Sequence, residues 1–174
     1  METKAKYPFK FYTRLTLPQL TGIYALNLKE LLAGIKNADD SIIYYHTHHY
    51  LIQHHYVVPD APNDFAHWII HTLGEKLLGE EISSIDIFDY NSMSDYKLEL
   101  IKRLSNFISK DTKTRKVETN ERFNFMKAAT FVMSTGKEAY TLKDFRDILK
   151  NITIFSLYYH YFEAHFRLAS KLEI

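Results

Sequence analysis

Residues Ser41 to Tyr56 read S-I-I-Y-Y-H-T-H-H-Y-L-I-Q-H-H-Y and hold five of the nine histidines in this chain of 174 residues. Read as a helix, the segment has no plainly polar face, which is typical of a buried helix. A weaker twin, L-Y-Y-H-Y-F-E-A-H-F-R, lies at Leu157 to Arg167. The two segments indicate where a site would lie, although they do not define a reaction.

The two histidine-containing segments begin at the ends of two longer stretches of similar sequence. With an offset of 114 residues, Phe9–His46 aligns with Phe123–His160 without a gap, and 13 of the 38 positions are identical. Solenoid repeats have periods of roughly 20–50 residues. We therefore interpret the match as one duplicated half-domain with pseudo-two-fold symmetry. The second copy is shortened, because Ile174 corresponds to Asp60, directly before A-P-N-D-F-A-H-W.

Each copy predicts a strand, a turn and two helices. Phe9–Leu17 alternates with the period of a half-buried strand, and Thr21-Gly22 predicts a turn. Asn27 then starts a helix, with Glu30 at the capping-box position. The corresponding parts of the second copy are Phe123–Met133, Thr135-Gly136, Thr141 and Asp144.

The sequence between the copies adds further helices. Asn63 or Asp64 caps one, a short one ends near Ile82, and another covers about Ser94–Ser109. The polar run 110–122 predicts a solvated linker. We expect an α+β, predominantly helical fold. It forms a single domain over 1–174, with a first half at 9–109, the linker at 110–122 and a shortened second half at 123–174.

Composition excludes several classes of function. The 22 Lys and Arg nearly balance the 21 Asp and Glu, so no strong field attracts nucleic acid or an anionic membrane. The absence of cysteine leaves His, Asp and Glu as the strong metal ligands. No segment approaches the roughly 20 apolar residues of a membrane span, and none resembles a signal peptide. We expect a soluble, cytoplasmic protein.

Four residues on the two twin segments make a candidate metal site. At about 100° per residue, His46 and His49 share one helix face, and the duplication places His160 and Glu163 at the equivalent face. If the pseudo-two-fold axis brings these faces together, the four side chains can hold zinc, iron or manganese. The alternative is that they are buried core residues whose polar tips are satisfied by neighbours.

Motifs for other chemistries are missing. The sequence has no dinucleotide or phosphate-binding glycine motif and no nucleophile elbow. His67-x-x-x-His71 lacks the glutamate of a zinc-protease helix. We therefore assign no catalytic nucleophile or base.

Two classes of function remain. The first is a binding or regulatory module that holds a small ligand or a protein partner in a His/Tyr-lined groove between the halves. The residues expected to line that groove are Tyr45, Gln53, Asn63, Asp64, Trp68, Tyr159 and Arg167. The second is a metal-dependent enzyme, hydrolytic or oxidative, in which the four-ligand site activates water or oxygen.

The motifs Y-Y-H-T-H-H, P-N-D-F-A-H-W and L-Y-Y-H-Y-F-E-A, taken together, resemble a prokaryotic protein family of unknown function. The resemblance covers most of the chain and implies no activity. It does imply that longer members continue into another N-D-F-x-x-W segment, which this sequence lacks after Arg167. The protein then has one such element, or takes a second one from a partner subunit in a homodimer.

Overall fold

The computed structural model describes residues 3–49, 61–110 and 115–164, with the backbone alone for His48, His49 and Phe162. Within these ranges it contains seven α-helices and a two-stranded sheet, and it is about 53% helical. The predicted mixed and mainly helical class is confirmed. None of the described helices is long and apolar enough to cross a lipid bilayer.

The first strand lies near the start of the described chain, five helices separate it from the second strand, and two helices follow the second strand. The elements are β1 (Phe9–Ala25), α1 (Leu28–Asn37), α2 (Asp40–Tyr44), α3 (Asp64–His71), α4 (Lys76–Ser83), α5 (Met93–Lys110), β2 (Phe123–Ala139), α6 (Leu142–Leu149) and α7 (Ile154–Tyr158). Turns of 3-10 helix lie at Ile87–Asp89 and Thr119–Glu121, and π-helical turns at Tyr45–His49 and Tyr159–Glu163.

The prediction of a turn at Thr21-Gly22 is wrong, because β1 continues through this pair to Ala25. Gly22 adopts a φ of 81°, which an L side chain rarely tolerates. The hydroxyl of Thr21 accepts from the N–H of Ile23 at 3.1 Å and donates to the carbonyl of Phe125 at 2.7 Å. The local hydrogen bond between Ile23 and the hydroxyl of Thr21 therefore accommodates Gly22 within the strand. The prediction at Thr135-Gly136 is wrong for the same reason, since β2 continues to Ala139.

Helix starts follow the predicted caps. The side chain of Asn27 accepts the N–H three residues further on, at 2.9 Å, and Asn63 does the same at 2.8 Å. Thr141 and Asp144 form a reciprocal capping box. These local predictions are confirmed.

The chain divides into two compact units. The larger unit is Pro18–Ala128, and the smaller unit consists of Met1–Leu17 with Ala129–Ile174. Each unit contains part of β1 and part of β2, so each draws strand residues from both predicted halves. The assignment of 1–174 to a single domain stays a prediction.

In the larger unit, α5 packs against α1, α2 and α4, and α3 packs against α4. The strands run antiparallel here, because Tyr24 lies against Arg122 while Thr21 bonds to Phe125. Gly34 of α1 lies so close to the ring of Phe125 that a Cβ would clash with it. The largest fully buried side chains of this unit include Leu31, Ile35, Ile43, Phe65, Ile69, Leu73, Leu78, Ile82, Tyr96 and Leu100.

The smaller unit has a compact aromatic core. Phe11 is buried, and its ring centroid lies 4.9 Å from that of Phe9 and 5.4 Å from that of Phe145 on α6. His160 closes the cluster at 5.0 Å from Phe9. No residue of α6 is fully buried.

Candidate functional site

His46 lies in the π-helical turn Tyr45–His49, which continues α2. The sequence predicts an α-helix through this segment, so the turn is a departure from that prediction. A π-turn closes i→i+5 hydrogen bonds, so faces assigned at about 100° per residue do not apply within it. Such turns occur frequently at functional sites, and this one fixes the position of His46.

Both ring nitrogens of His46 are engaged. Nδ1 lies 2.8 Å from a carboxylate oxygen of Asp64, and Nε2 accepts the backbone N–H of Met126 at 2.9 Å. Because Nε2 accepts, the proton of the neutral ring is on Nδ1 and is donated to Asp64. The side chain is only 3% exposed. His46 therefore joins the π-turn, the start of α3 and strand β2.

Aromatic rings surround this imidazole. The ring of Phe123 lies 4.7 Å from that of His46, and the ring of Phe65 lies at 5.3 Å. Tyr45 packs edge-on at 5.2 Å. Burial, and then the charge of Asp64, raise the pKa of Tyr45, so its phenol stays protonated. The surroundings are those of a packed, hydrogen-bonded histidine.

His160 plays a similar part within the smaller unit. It lies in the second π-turn, and its Nε2 accepts the backbone N–H of Tyr12 at 2.8 Å. Ser156 of α7 donates to the carbonyl of the same Tyr12 at 2.6 Å. Burial lowers the pKa of His160, which favours the neutral ring that can accept this bond.

A buried ion pair lies in the same unit as His160. The guanidinium of Arg14 is 3.3 Å from the carboxylate of Glu163, and each side chain is only 4% exposed. Arg14 also lies over the ring of Tyr158, 4.6 Å from its centroid. Glu163 therefore has a cationic partner within its own unit.

The predicted metal ligands are distributed over the two units. His46 belongs to the larger unit, His160 and Glu163 belong to the smaller one, and the side chain of His49 lies outside the described residues. Among the side chains that the structure describes, no group of three or more His, Asp or Glu forms a metal site. Nε2 of His46 and Nε2 of His160 each accept a backbone N–H group. The four-ligand site stays a prediction.

The predicted groove residues fall into three sets. One set lies near His46 in the larger unit and consists of Tyr45, Asn63, Asp64 and Trp68, whose indole N–H donates to the carbonyl of Glu121 at 2.8 Å. Tyr159 packs beside His160 in the smaller unit, with ring centroids 5.1 Å apart. Gln53 and Arg167 lie outside the described residues.

A cavity of about 390 Å³ opens in the larger unit beside Thr47 and Asn63. We call it the Asn63–Asp86 cavity. Its other walls come from the end of α4, the following 3-10 turn and Tyr96 of α5. The sequence predicted Asn63 as a groove residue but gave no sign of the cavity, because segments distant in sequence form its walls.

Polar groups with spare hydrogen-bonding capacity line this cavity. Asp86 uses one carboxylate oxygen to accept the N–H of Phe88 at 2.9 Å, which leaves the other oxygen. Asn63 uses its amide oxygen to cap α3, which leaves its N–H₂ group. The hydroxyl of Ser83 is buried and has no hydrogen-bond partner within the described ranges. Burial, and then Tyr90, raise the pKa of Tyr96, so its phenol remains a donor.

The lining of the cavity is mainly apolar, and Asp86 is the charged residue among the described side chains that form it. No Lys, Arg or His is among the described residues that form its walls. Anionic ligands are held by Arg, Lys or clustered N–H groups. Arg103 lies behind the walls and donates to the hydroxyl of Ser84 at 2.9 Å. The lining suits a ligand that donates hydrogen bonds.

In the described residues, fold and site define a helix-rich α+β protein in which histidines hydrogen-bond to the strands and a small cavity opens beside Asn63. The chain belongs to a family described as "Family of unknown function (DUF5752)", whose model matches residues 6–173. The resemblance to a family of unknown function is thereby confirmed. A search of curated proteins found no match.

A solved structure supports the same fold. OrfY from Thermoproteus tenax is 30% identical in sequence, with a TM-score of 0.79. The similarity covers 93% of this chain and 73% of that one. Its name states no activity, so the function has to be argued from the geometry of the site.

Proposed function

We propose that the protein is a binding module whose ligand occupies the Asn63–Asp86 cavity. The supporting observation is the lining. Asn63 and Ser83 hold buried hydrogen-bonding groups that the described residues do not use, and the exposed Asp86 adds a carboxylate oxygen. Buried polar groups are normally paired, so a ligand or water completes them. A volume of about 390 Å³ lies within the range of small-molecule sites.

The lining favours one class of ligand, a small molecule without negative charge that carries several O–H or N–H donors. The carboxylate of Asp86 accepts such donors and repels anions. No described Lys, Arg or His forms the walls, and Arg103 behind them is already engaged by the hydroxyl of Ser84 at 2.9 Å and by the carboxylate of Glu99. The aromatic ring of Phe88 at the rim is 61% exposed and offers an apolar surface for the ligand to cover.

A thermal-shift screen tests this proposal. The panel contains three sets of compounds: neutral polyols, small amines, and phosphorylated or carboxylated molecules. A ligand at about 100 times its Kd stabilises the protein by about 2.7 kcal/mol. For a chain of this size, that raises Tm by about 5–10 °C. We expect hits among the first two sets and none among the anions.

Two matched variants locate the binding. Asp86→Asn keeps an oxygen for the N–H of Phe88 but removes the charge, so it should reduce the shift. Asp89→Asn changes the same 3-10 turn outside the cavity and should leave the shift intact. A shift that persists in Asp86→Asn, or hits confined to anions, would overturn the assignment.

The metal-dependent enzyme is the alternative, and it uses His46, His49, His160 and Glu163 with zinc, iron or manganese. Binding a metal through Nε2 would require two histidines to release strand N–H groups. Mass spectrometry of untagged protein tests the alternative. Near-stoichiometric metal that His46→Ala releases and His54→Ala retains would support it.

We also propose that the chain arose by duplication, with pseudo-two-fold symmetry. Support comes from hydrogen bonds at positions 114 residues apart. The bond from Met126 to His46 matches that from Tyr12 to His160. Thr21 and Thr135 likewise donate to matching phenylalanine carbonyls. The groove between the halves and a cytoplasmic location stay predictions from the sequence.

A further inference from the structure

Two histidines lie one helical turn apart on the outer face of α3. His67 and His71 are spaced i, i+4, which places two side chains on the same face of an α-helix. Both residues are exposed, and their ring centroids lie 4.6 Å apart with the ring planes inclined by 44°. Neither residue is among the described residues that form the Asn63–Asp86 cavity.

The separation of the two rings matches that of two imidazoles bound to one metal ion. Zinc binds an imidazole nitrogen at about 2.0–2.1 Å, which places the ring centroid roughly 3 Å from the ion. Two such rings, at ligand–metal–ligand angles of about 90–110°, have centroids roughly 4.5–5 Å apart. The observed separation of 4.6 Å falls within this range.

Packing holds this part of α3 in place. Four residues of the same helix, Phe65, Ala66, Trp68 and Ile69, are buried. The side chain of Asn63 caps the first turn, with a hydrogen bond of 2.8 Å. The helix therefore sets the spacing of the two imidazoles before an ion binds, so that little backbone entropy is lost on binding.

The two nitrogen donors favour a late transition metal. Imidazole suits zinc, copper and nickel, whereas magnesium and calcium take oxygen ligands. Among the described side chains, no third His, Asp or Glu joins the pair to complete a metal site. Asp64, one turn before His67, lies 2.8 Å from the ring of His46. Because His67 and His71 are open to solvent, water or an exchangeable ligand would fill the remaining coordination positions.

We propose that His67 and His71 form a surface chelate for a divalent late transition metal ion, namely nickel, copper or zinc. A metal-ligating imidazole uses one ring nitrogen and commonly donates its other N–H to a neighbouring group. A hydrogen bond at one nitrogen of either ring therefore leaves the other nitrogen for the ion. The proposal depends neither on ligand binding in the Asn63–Asp86 cavity nor on the four-ligand metal site.

Calorimetric titration of the untagged full chain with Ni²⁺ tests the proposal. We expect His67→Gln and His71→Gln each to weaken the tightest Ni²⁺ binding at least tenfold, because a second ligand on the same helix acts at high effective concentration. Glutamine is a good helix former and both positions are exposed, so the variants should fold. Circular dichroism checks this. A wild-type protein that binds Ni²⁺ no more tightly than His67→Gln would overturn the proposal.

Two matched variants separate the spacing of the pair from the histidine content of the chain. His71→Gln combined with Lys76→His keeps nine histidines but moves one to the start of α4, and it should bind as weakly as His71→Gln. His160→Gln removes a histidine of the smaller unit and should bind as tightly as wild type. Wild-type affinity in the first variant, or a tenfold loss in the second, would contradict the assigned site.

The single tryptophan provides a second readout. Trp68 directly follows His67 on α3, so Cu²⁺ bound to the pair should quench its fluorescence. Zn²⁺ has a filled d shell and should bind without comparable quenching. The double variant His67→Gln, His71→Gln should lose the quenching by one equivalent of Cu²⁺. Quenching of equal size in wild type and the double variant would overturn the proposal.

Discussion

Nε2 of His46 accepts a hydrogen bond from the backbone N–H of Met126, 80 residues along the chain. A two-stranded sheet leaves N–H groups on its outer edges without strand partners. One imidazole in each unit satisfies such a group, since His160 accepts from Tyr12. The histidine-rich motifs therefore attach helices to strand edges.

Replacing His46 with Phe should destabilise the fold. The ring shape is retained among Phe65 and Phe123, but the N–H of Met126 loses its acceptor and Asp64 loses its donor. A buried unsatisfied group costs about 1–3 kcal/mol, so Tm should fall by about 2–4 °C for each kcal/mol. Urea and thermal unfolding measure this. In the exposed control His71→Phe, the free energy of unfolding should stay within about 0.5 kcal/mol of the wild-type value. Equal stabilities of the two variants would contradict a stabilising role of the His46 hydrogen bonds.

Stability should fall as the pH drops below the ordinary pKa of histidine. Burial lowers the pKa of His160 in the folded protein, so the unfolded chain binds a proton first as the pH falls through about 6.5. This loss of stability ends once the pH is below the pKa of His160 in the folded protein. Urea unfolding over this range measures the slope. His160→Gln, an uncharged acceptor, should reduce the slope, whereas exposed His71→Gln should change it less. Equal slopes in both variants would contradict the role of His160.

Gly34→Ala should be destabilising although alanine is the better helix former. The new Cβ clashes with the ring of Phe125, which is fully buried, and overpacking costs about 1–3 kcal/mol. In a Phe125→Leu background the penalty should shrink, because the smaller side chain gives room. Chemical denaturation of the four proteins supplies the double-mutant cycle. Additive effects would show that the close contact is not what excludes alanine.

The Arg14–Glu163 pair should behave as one unit. Arg14→Met removes the cation beside the buried carboxylate of Glu163. Removing one partner of a buried ion pair typically destabilises a protein by about 3–5 kcal/mol. Adding Glu163→Met removes the carboxylate as well and should recover part of the loss. Unfolding free energies of the two single variants and the double variant measure the coupling. A double variant that loses the sum of the single effects would indicate that the two side chains do not interact.

Local signals in the sequence were the most informative ones. The sequence predicts caps at Asn27, at Asn63 or Asp64, and at Thr141, because a side chain that bonds an N–H three residues away needs no tertiary context. The helix at Ser94–Ser109 was predicted nearly to its limits because its periodicity is long and regular.

Long-range features were missed for a common physical reason. The strand continues through Thr21-Gly22 because of a bond to Phe125, which is distant in sequence. The π-turns depend on where a histidine must meet a strand, and hydrophobic periodicity does not encode this. The Asn63–Asp86 cavity exists only once several segments have packed together.

The role of the two histidines is tested most directly by long-range proton–nitrogen NMR of the imidazoles, recorded before and after addition of equimolar zinc. The variants His46→Phe and His160→Gln assign the resonances. We predict that His46 carries its proton on Nδ1, that Nε2 of both rings is a hydrogen-bond acceptor, and that zinc changes neither ring. If zinc instead shifts the Nε2 resonances of both His46 and His160 as metal coordination does, the hydrogen-bonding role of these histidines would be contradicted and the four-ligand metal site favoured.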